Sequence, residues 1–255
     1  MPFHVLAFTK ADTAAATNED IPGVNDQWAI LNTNNHYLLP QDMYLLAAYW
    51  QNAGATNARL NTPHYRFLGM PSIQPVNRTA APVTLAPKVV WWPQKLIVPK
   101  TDDVAFEASN DGAGAVRGIG GLWLHDNQMT IPYSGEMYTM RFTGTITATT
   151  LVWTSGNLVA EQGLPAGRYA VIGMDVIGTN LVFARLLFPG GVGPNGMRPG
   201  VIARPSILIY QDETFRKGNA GLFGVFESTA IPLLEVYSNG ANSAQTVFLD
   251  LMKIA

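Results

Sequence analysis

The chain has 255 residues, 47% of them hydrophobic and only 13% charged, with a formal net charge of -2 and no cysteine. The hydrophobic content excludes a disordered chain, and the length suits two cores of roughly 125 residues better than one. Lys and Arg are scattered singly, which argues against a phosphate-binding footprint, and without thiols there are no disulfides and no thiolate metal sites.

Short runs rich in Val, Ile, Thr, Tyr, Phe and Trp alternate with Gly, Pro and Asn about every ten residues, the signature of an all-β chain. In the first half, strands are predicted over 3–10, 27–32, 43–51, 56–61, 64–73, 89–98, 103–109 and 115–124. Lys10 to Asp26 reads as a polar insertion, with a short helical turn at Ala14 to Ala16. Gln74 to Lys88 carries Pro75, Pro82 and Pro87, which remove ladder donors, so it reads as a long loop. Residues 125–137 read as a linker. In the second half, strands are predicted over 138–148, 150–160, 168–177, 180–188, 201–210, 221–227, 232–238 and 245–253. Gly178-Thr179-Asn180 breaks one hairpin; Asn239-Gly240 is expected to supply the positive φ angles of another. No run reaches the ~18 apolar residues of a membrane span. Met1-Pro2-Phe3-His4 lacks the charged-then-apolar run of a signal peptide, so synthesis in a cytoplasm without export by that route is expected.

Five short matches recur in the same order in the two halves. Phe8-Thr9 corresponds to Phe142-Thr143, and Leu39-Pro40…Tyr44 to Leu164-Pro165…Tyr169. Ala58-Arg59-Leu60…Pro63 corresponds to Ala184-Arg185-Leu186…Pro189, and Pro71-Ser72-Ile73 to Pro205-Ser206-Ile207. Glu107…Gly112-Ala113 corresponds to Glu235…Gly240-Ala241. The glycine-rich stretch Gly190 to Gly196 reads as an insertion in the second copy, placed in a turn where duplicated units tolerate it. The expected domains are residues 1–128 and 129–255.

These two strand sets and the collinear matches resemble the double jelly-roll major capsid proteins of the adenovirus and tailless-phage lineage. The resemblance covers nearly the whole chain. It implies two tandem eight-stranded jelly-roll β-barrels, assembly into pseudo-hexagonal trimers of six barrels, a place in a virion shell, and contacts with neighbouring capsomers and other virion proteins. It implies no catalytic residue and no cofactor. The charge deficit, against about 25% charged residues in an ordinary soluble domain, independently suits a subunit walled in by neighbours.

Candidate chemistry is sparse. Asp102, Asp103 and Glu107 form a carboxylate group at a loop-to-strand entry, which reads first as a solvated turn and second as an acid/base set. His125-Asp126 with His64 or Asp102 would be a metal site only if the fold joined them. None of the four histidines, His4, His36, His64 and His125, has helical metal-ligand spacing. Trp91 and Trp92 are adjacent in one predicted strand, so one faces the core and the other is free to anchor an assembly interface. Pro93 places that strand at an edge or a bulge. The competing reading is a two-domain β-sandwich carbohydrate-binding protein, a lectin or fibre head, with exposed Trp stacking on sugars.

Overall fold

The alternating apolar runs form strands that pair almost wholly over long sequence separations. The computed structural model describes residues 3–13, 18–52, 54–67, 72–74, 90–110, 116–126, 130–189, 196–206 and 213–254. It is an all-β protein of four sheets that divides into two units. One comprises Leu6–Asn127, and the other comprises Met1–Val5 together with Gln128–Ala255.

The Leu6–Asn127 unit contains most of β1 (Phe3–Thr13), then β2 (Glu19–Ile21), β3 (Ile30–Leu31), β4 (Tyr37–Leu38), β5 (Met43–Gln51) and β6 (Ala55–Asn61). A short helix, α1 (Pro63–Phe67), follows, and then β7 (Ser72–Gln74), β8 (Val90–Val98), β9 (Asp103–Asn110) and β10 (Val116–His125). One sheet has the order β1-β10-β5-β8; the other has β3-β4-β9-β6-β7, with β2 also on β9. Phe8, Trp50, Phe106 and Trp123 are fully buried in this unit.

The second unit contains β11 (Met137–Gly144), β12 (Thr154–Gly156), β13 (Leu158–Ala160), β14 (Arg168–Ile177) and β15 (Leu181–Leu187). It ends with β16 (Gly200–Ile202), β17 (Gly224–Glu227), β18 (Leu233–Ser238) and β19 (Gln245–Lys253). Its sheets have the orders β13-β11-β19-β14-β17 and β12-β18-β15-β16. On β19, Val247, Leu249 and Leu251 are wholly buried on one face while Asp250 takes the other, as period-two alternation requires.

Counting β2–β4 and β12–β13 each as one interrupted second strand, both units share one connectivity. The first, eighth, third and sixth strands lie in one sheet and the second, seventh, fourth and fifth in the other, except that β13, the latter part of one second strand, pairs with β11 in the first sheet.

Four local expectations are corrected. Residues 64–67 are helix and not strand: Thr62 Oγ1 accepts from Tyr65 N at 3.2 Å, Pro63 takes the first helical position, and Asp102 Oδ2 accepts from His64 N at 2.9 Å, so α1 forms there; 72 and 73 belong to β7, and 68–71 lie outside the described residues. The Lys10–Asp26 insertion contains a strand, because Ile21 is buried and β2 pairs with β9; Ala14 to Ala16 lie outside the described residues. The predicted strand at 27–32 shrinks to β3, which turns back through Asn35 (φ 59°) to pair with β4. Asn239-Gly240 adopts no positive φ; Asn180 does (φ 62°), in the tighter β14–β15 turn.

The repeat is corrected at one place. Register sets Ile73 opposite Arg59 and Gly200 opposite Arg185, so the counterpart of Ile73 is Gly200 and not Ile207. The two connections then differ by one residue, and the glycine-rich stretch is no insertion. Gln74 to Lys88 falls outside the described residues from 75 onward, as do 190–195 and 207–212.

Candidate functional site

The repeated letters become repeated contacts. Arg59 on β6 lies opposite Glu107 on β9, and Arg185 on β15 lies opposite Glu235 on β18. Arg59 Nε donates to Glu107 Oε2 at 2.8 Å, and Asn61 Nδ2 donates to the other carboxylate oxygen. Arg185 Nε donates to Glu235 Oε2 at 2.7 Å. The neighbours Ala58, Leu60, Ala184 and Leu186 are buried in the core. Alternation therefore places both ion pairs on the outward faces of their sheets.

The second pair is the centre of a larger cluster. Its side chains are 1% and 7% exposed, against 28% and 14% for Arg59 and Glu107. Arg198 bonds the remaining oxygen of Glu235. Arg185 Nη1 donates to Val5 O at 3.1 Å, and its guanidinium carbon stands 3.8 Å from the centre of the Trp153 ring, a cation–π contact. Val5 N donates to Arg198 O at 3.3 Å, and Arg198 N donates to His4 Nδ1 at 2.9 Å. Phe3 packs edge-on against Phe223, with ring centres 4.7 Å apart.

Two further pairs hold the outward face of β14 and β19. Arg204 reaches Asp175 through two bonds, the Nε one at 2.9 Å. Arg216 reaches Asp250 through Nε at 2.6 Å and Nη2 at 2.7 Å. Thr139 Oγ1 and Lys217 N also donate to Asp250, at 2.6 and 2.9 Å. Gly218 N and Phe223 N bond the carbonyls of Ile172 and Val171, so the residues around 204–206 and 213–223 strap this face. The strap passes directly over Gly173, where a Cβ would lie 2.8 Å from Lys217 N and 2.9 Å from Arg216 Cα. Burial alone would push the Asp250 carboxyl up; the bonds from Arg216, Thr139 and Lys217 N and the Arg216 charge outweigh it and hold the carboxyl below its ordinary range. An ionised carboxylate so fully bonded is a structural anchor and a poor general base.

The carboxylates singled out in sequence disperse into separate roles. Asp102 caps α1, Asp103 Oδ2 stands 3.9 Å from His36 Nδ1, and Glu107 is taken by Arg59 and Asn61. His36 Nε2 lies 3.0 Å from Asp20 Oδ2. Of the proposed metal set, His64 and Asp102 meet through the His64 backbone. Among the described residues no group of three or more His, Cys, Asp or Glu is arranged to hold a metal ion. The backbone of Trp91 and Trp92 lies in β8, which ends its sheet, and the register opposite β5 slips between Leu45 and Ala47, beside Pro93. The strand is thus both an edge and a bulge; the two indole side chains lie outside the described residues. Among the described residues, the exposed large apolar side chains are Ile30, Met137, Val152 and Val159.

His4, Asp175, Arg198, Arg204, Arg216 and Asp250 were not singled out from sequence. Asp175 and Asp250 carried a signal: each is a lone charge inside an apolar strand, and such a charge needs a buried partner.

The geometry defines the class: a two-unit, all-β protein in which the buried Arg185, Arg198, Arg204 and Arg216 are each bound to a buried carboxylate. No protein-family model and no curated protein matches the chain. Among solved structures, it is similar to the major capsid protein P2 from bacteriophage PM2, at 10% identity over 99% of this chain and 98% of that one, with a TM-score of 0.26. A TM-score that low carries no weight for fold or role.

Proposed function

We propose that this chain is a structural protein of a virion, a major capsid subunit built from two tandem eight-stranded jelly rolls, residues 1–128 and 129–255, that self-assembles as pseudo-hexagonal trimers into an icosahedral shell. The observation that carries this reading is the shared connectivity, with an Arg–Glu pair on the same rung of each unit. A jelly roll pairs its eight strands in that order across two facing sheets, which supports the reading. A trimer of duplicated units presents six similar barrels, so it tiles as a six-fold body while only three chains associate. The low charge supports a surface largely covered by neighbours, and of the carboxylates weighed for catalysis Asp102 is bound to the His64 amide and Glu107 to Arg59. Trp91 and Trp92, on an edge strand, are the proposed assembly anchors, with further copies of this chain and other virion proteins as partners.

Negative-stain microscopy of the purified protein tests this directly. Hexagonal-outline trimers or closed shells are expected; isolated particles of single-chain size at high concentration would remove the capsid reading and bring the carbohydrate-binding one forward.

A further inference from the structure

Three connections of the Gln128–Ala255 unit meet at one end of it: β11 to β12, β14 to β15 and β18 to β19. One buried amide ties them together. Asn242 Nδ2 donates to Thr179 O at 2.9 Å and to Ala244 O at 3.2 Å, and its Oδ1 accepts from Gln245 Nε2. Gln245 also clasps Ile146, donating to its carbonyl at 2.8 Å and accepting from its N–H at 2.9 Å. Ala148 N donates to Asn242 O at 2.8 Å. Between the three connections lies a cavity of about 310 Å³, at the lower end of the ~300–1,000 Å³ usual for small-molecule sites. Thr147, Thr179 and Ser243 stand exposed around it, with Asn242, Ala148 and Ala244 completing much of its wall. Among the described residues that line it there is no charged group and no aromatic ring.

We propose that this cavity is a binding site for a neutral saccharide, taking one sugar ring. The hydroxyls of Thr147, Thr179 and Ser243 make no hydrogen bond to a protein group among the described residues. Each offers one donor and two acceptor positions, the same inventory that a sugar hydroxyl carries, so the two sets can bond in either sense. A charged ligand would leave water and meet no opposite charge in this wall. A wholly apolar one would take water from the three hydroxyls and return no bond. The Asn242–Gln245 network fixes the three connections before any ligand arrives, so little ordering is left for binding to offset. The alanine and threonine methyls suit the C–H faces of a ring, but with no aromatic surface to stack on, affinity is weak, on the order of millimolar. The site is separate from Trp91 and Trp92, and the inference stands whether or not the chain builds shells, because it concerns one end of one unit.

Saturation-transfer NMR on the full chain tests it, because the method reads weak binding through the ligand and tolerates large assemblies. The probes are glucose, galactose, mannose and N-acetylglucosamine, with glucuronate as the charged counterpart. At least one neutral sugar should receive saturation that levels off with concentration, and glucuronate should receive several-fold less. Ser243→Ala and Thr147→Val each remove one exposed hydroxyl while leaving the Asn242–Gln245 network intact, and each should weaken the signal several-fold. Either variant alone is sufficient if the other does not fold. No saturable transfer to any of the four neutral sugars would overturn the proposal. So would equal transfer to glucuronate, or a signal that both variants leave unchanged, which would put the sugar elsewhere on the chain.

Discussion

Arg59–Glu107 and Arg185–Glu235 occupy the same rung of the same strand pair in two copies of one connectivity, yet their surroundings differ. The first is one pair with a neighbouring amide, partly open to water. The second is covered, and there the carboxylate serves two arginines while Arg185 gains a backbone carbonyl and an aromatic face. Covering a guanidinium removes water from five donors, each of which then needs another acceptor or a favourable face. The difference teaches that a duplicated ion pair can change from a surface contact into a buried hub when partners arrive from outside the repeat, here from residues 3–5 and 196–199.

The largest break should come at the hub. Glu235→Ala removes the carboxylate that the buried Arg185 and Arg198 share, and should cost about 3–5 kcal/mol. Glu107→Ala, on the same rung but partly open to water, should cost less, about 1–2 kcal/mol. Urea denaturation of both variants measures the contrast, and equal losses would show that burial does not separate the two copies.

Next is Gly173→Ala. Its Cβ would press on the backbone of Lys217 and Arg216, which side-chain rotation cannot relieve, so a loss of about 1–3 kcal/mol is expected in thermal unfolding. Alanine at this position with no loss would mean that the strap lies further from β14.

Trp91 and Trp92 come next. Replacing the outward member of the pair with Ala should weaken self-association by about 2 kcal/mol, read as a shift in the concentration dependence of light scattering, while its partner variant chiefly lowers stability. Two variants that associate like wild type would exclude β8 as the assembly edge.

The smallest effect concerns Thr139→Val, which removes one of the bonds to Asp250 and should cost about 1 kcal/mol. The Asp250 carboxyl is held below its ordinary value of 3.8. Its contribution is therefore complete above that pH and lost as pH falls through the lowered one. Because Thr139 helps hold it down, Thr139→Val should bring the acid transition to higher pH. An unchanged acid midpoint would show that Arg216 and Lys217 N suffice.

Much of the fold was legible. The strand predicted over 168–177 coincides with β14, and that over 245–253 with β19, because both are largely apolar runs, each broken by one aspartate. Around 63–67 the aromatic residues Tyr65 and Phe67 alternate as in a strand, and the deciding signal was the cap pair Thr62-Pro63, which composition alone hides. The Pro71 and Pro205 matches were misleading because three letters carry no register; the cross-strand partners of Arg59 and Arg185 carry it. The ion pairs themselves were visible only as repeated letters. Arg and Glu lie 48 residues apart in one copy and 50 in the other, and their meeting depends on which strands become neighbours. His4 and Arg198 were beyond reach of the repeat because neither has a counterpart in it.

The measurement that bears most directly on the central claim is sedimentation of the purified wild-type protein across a wide concentration range. The capsid reading predicts a stable species of three 27.6 kDa chains, about 83 kDa, passing into larger assemblies as concentration rises. A single 27.6 kDa species at every concentration would contradict it.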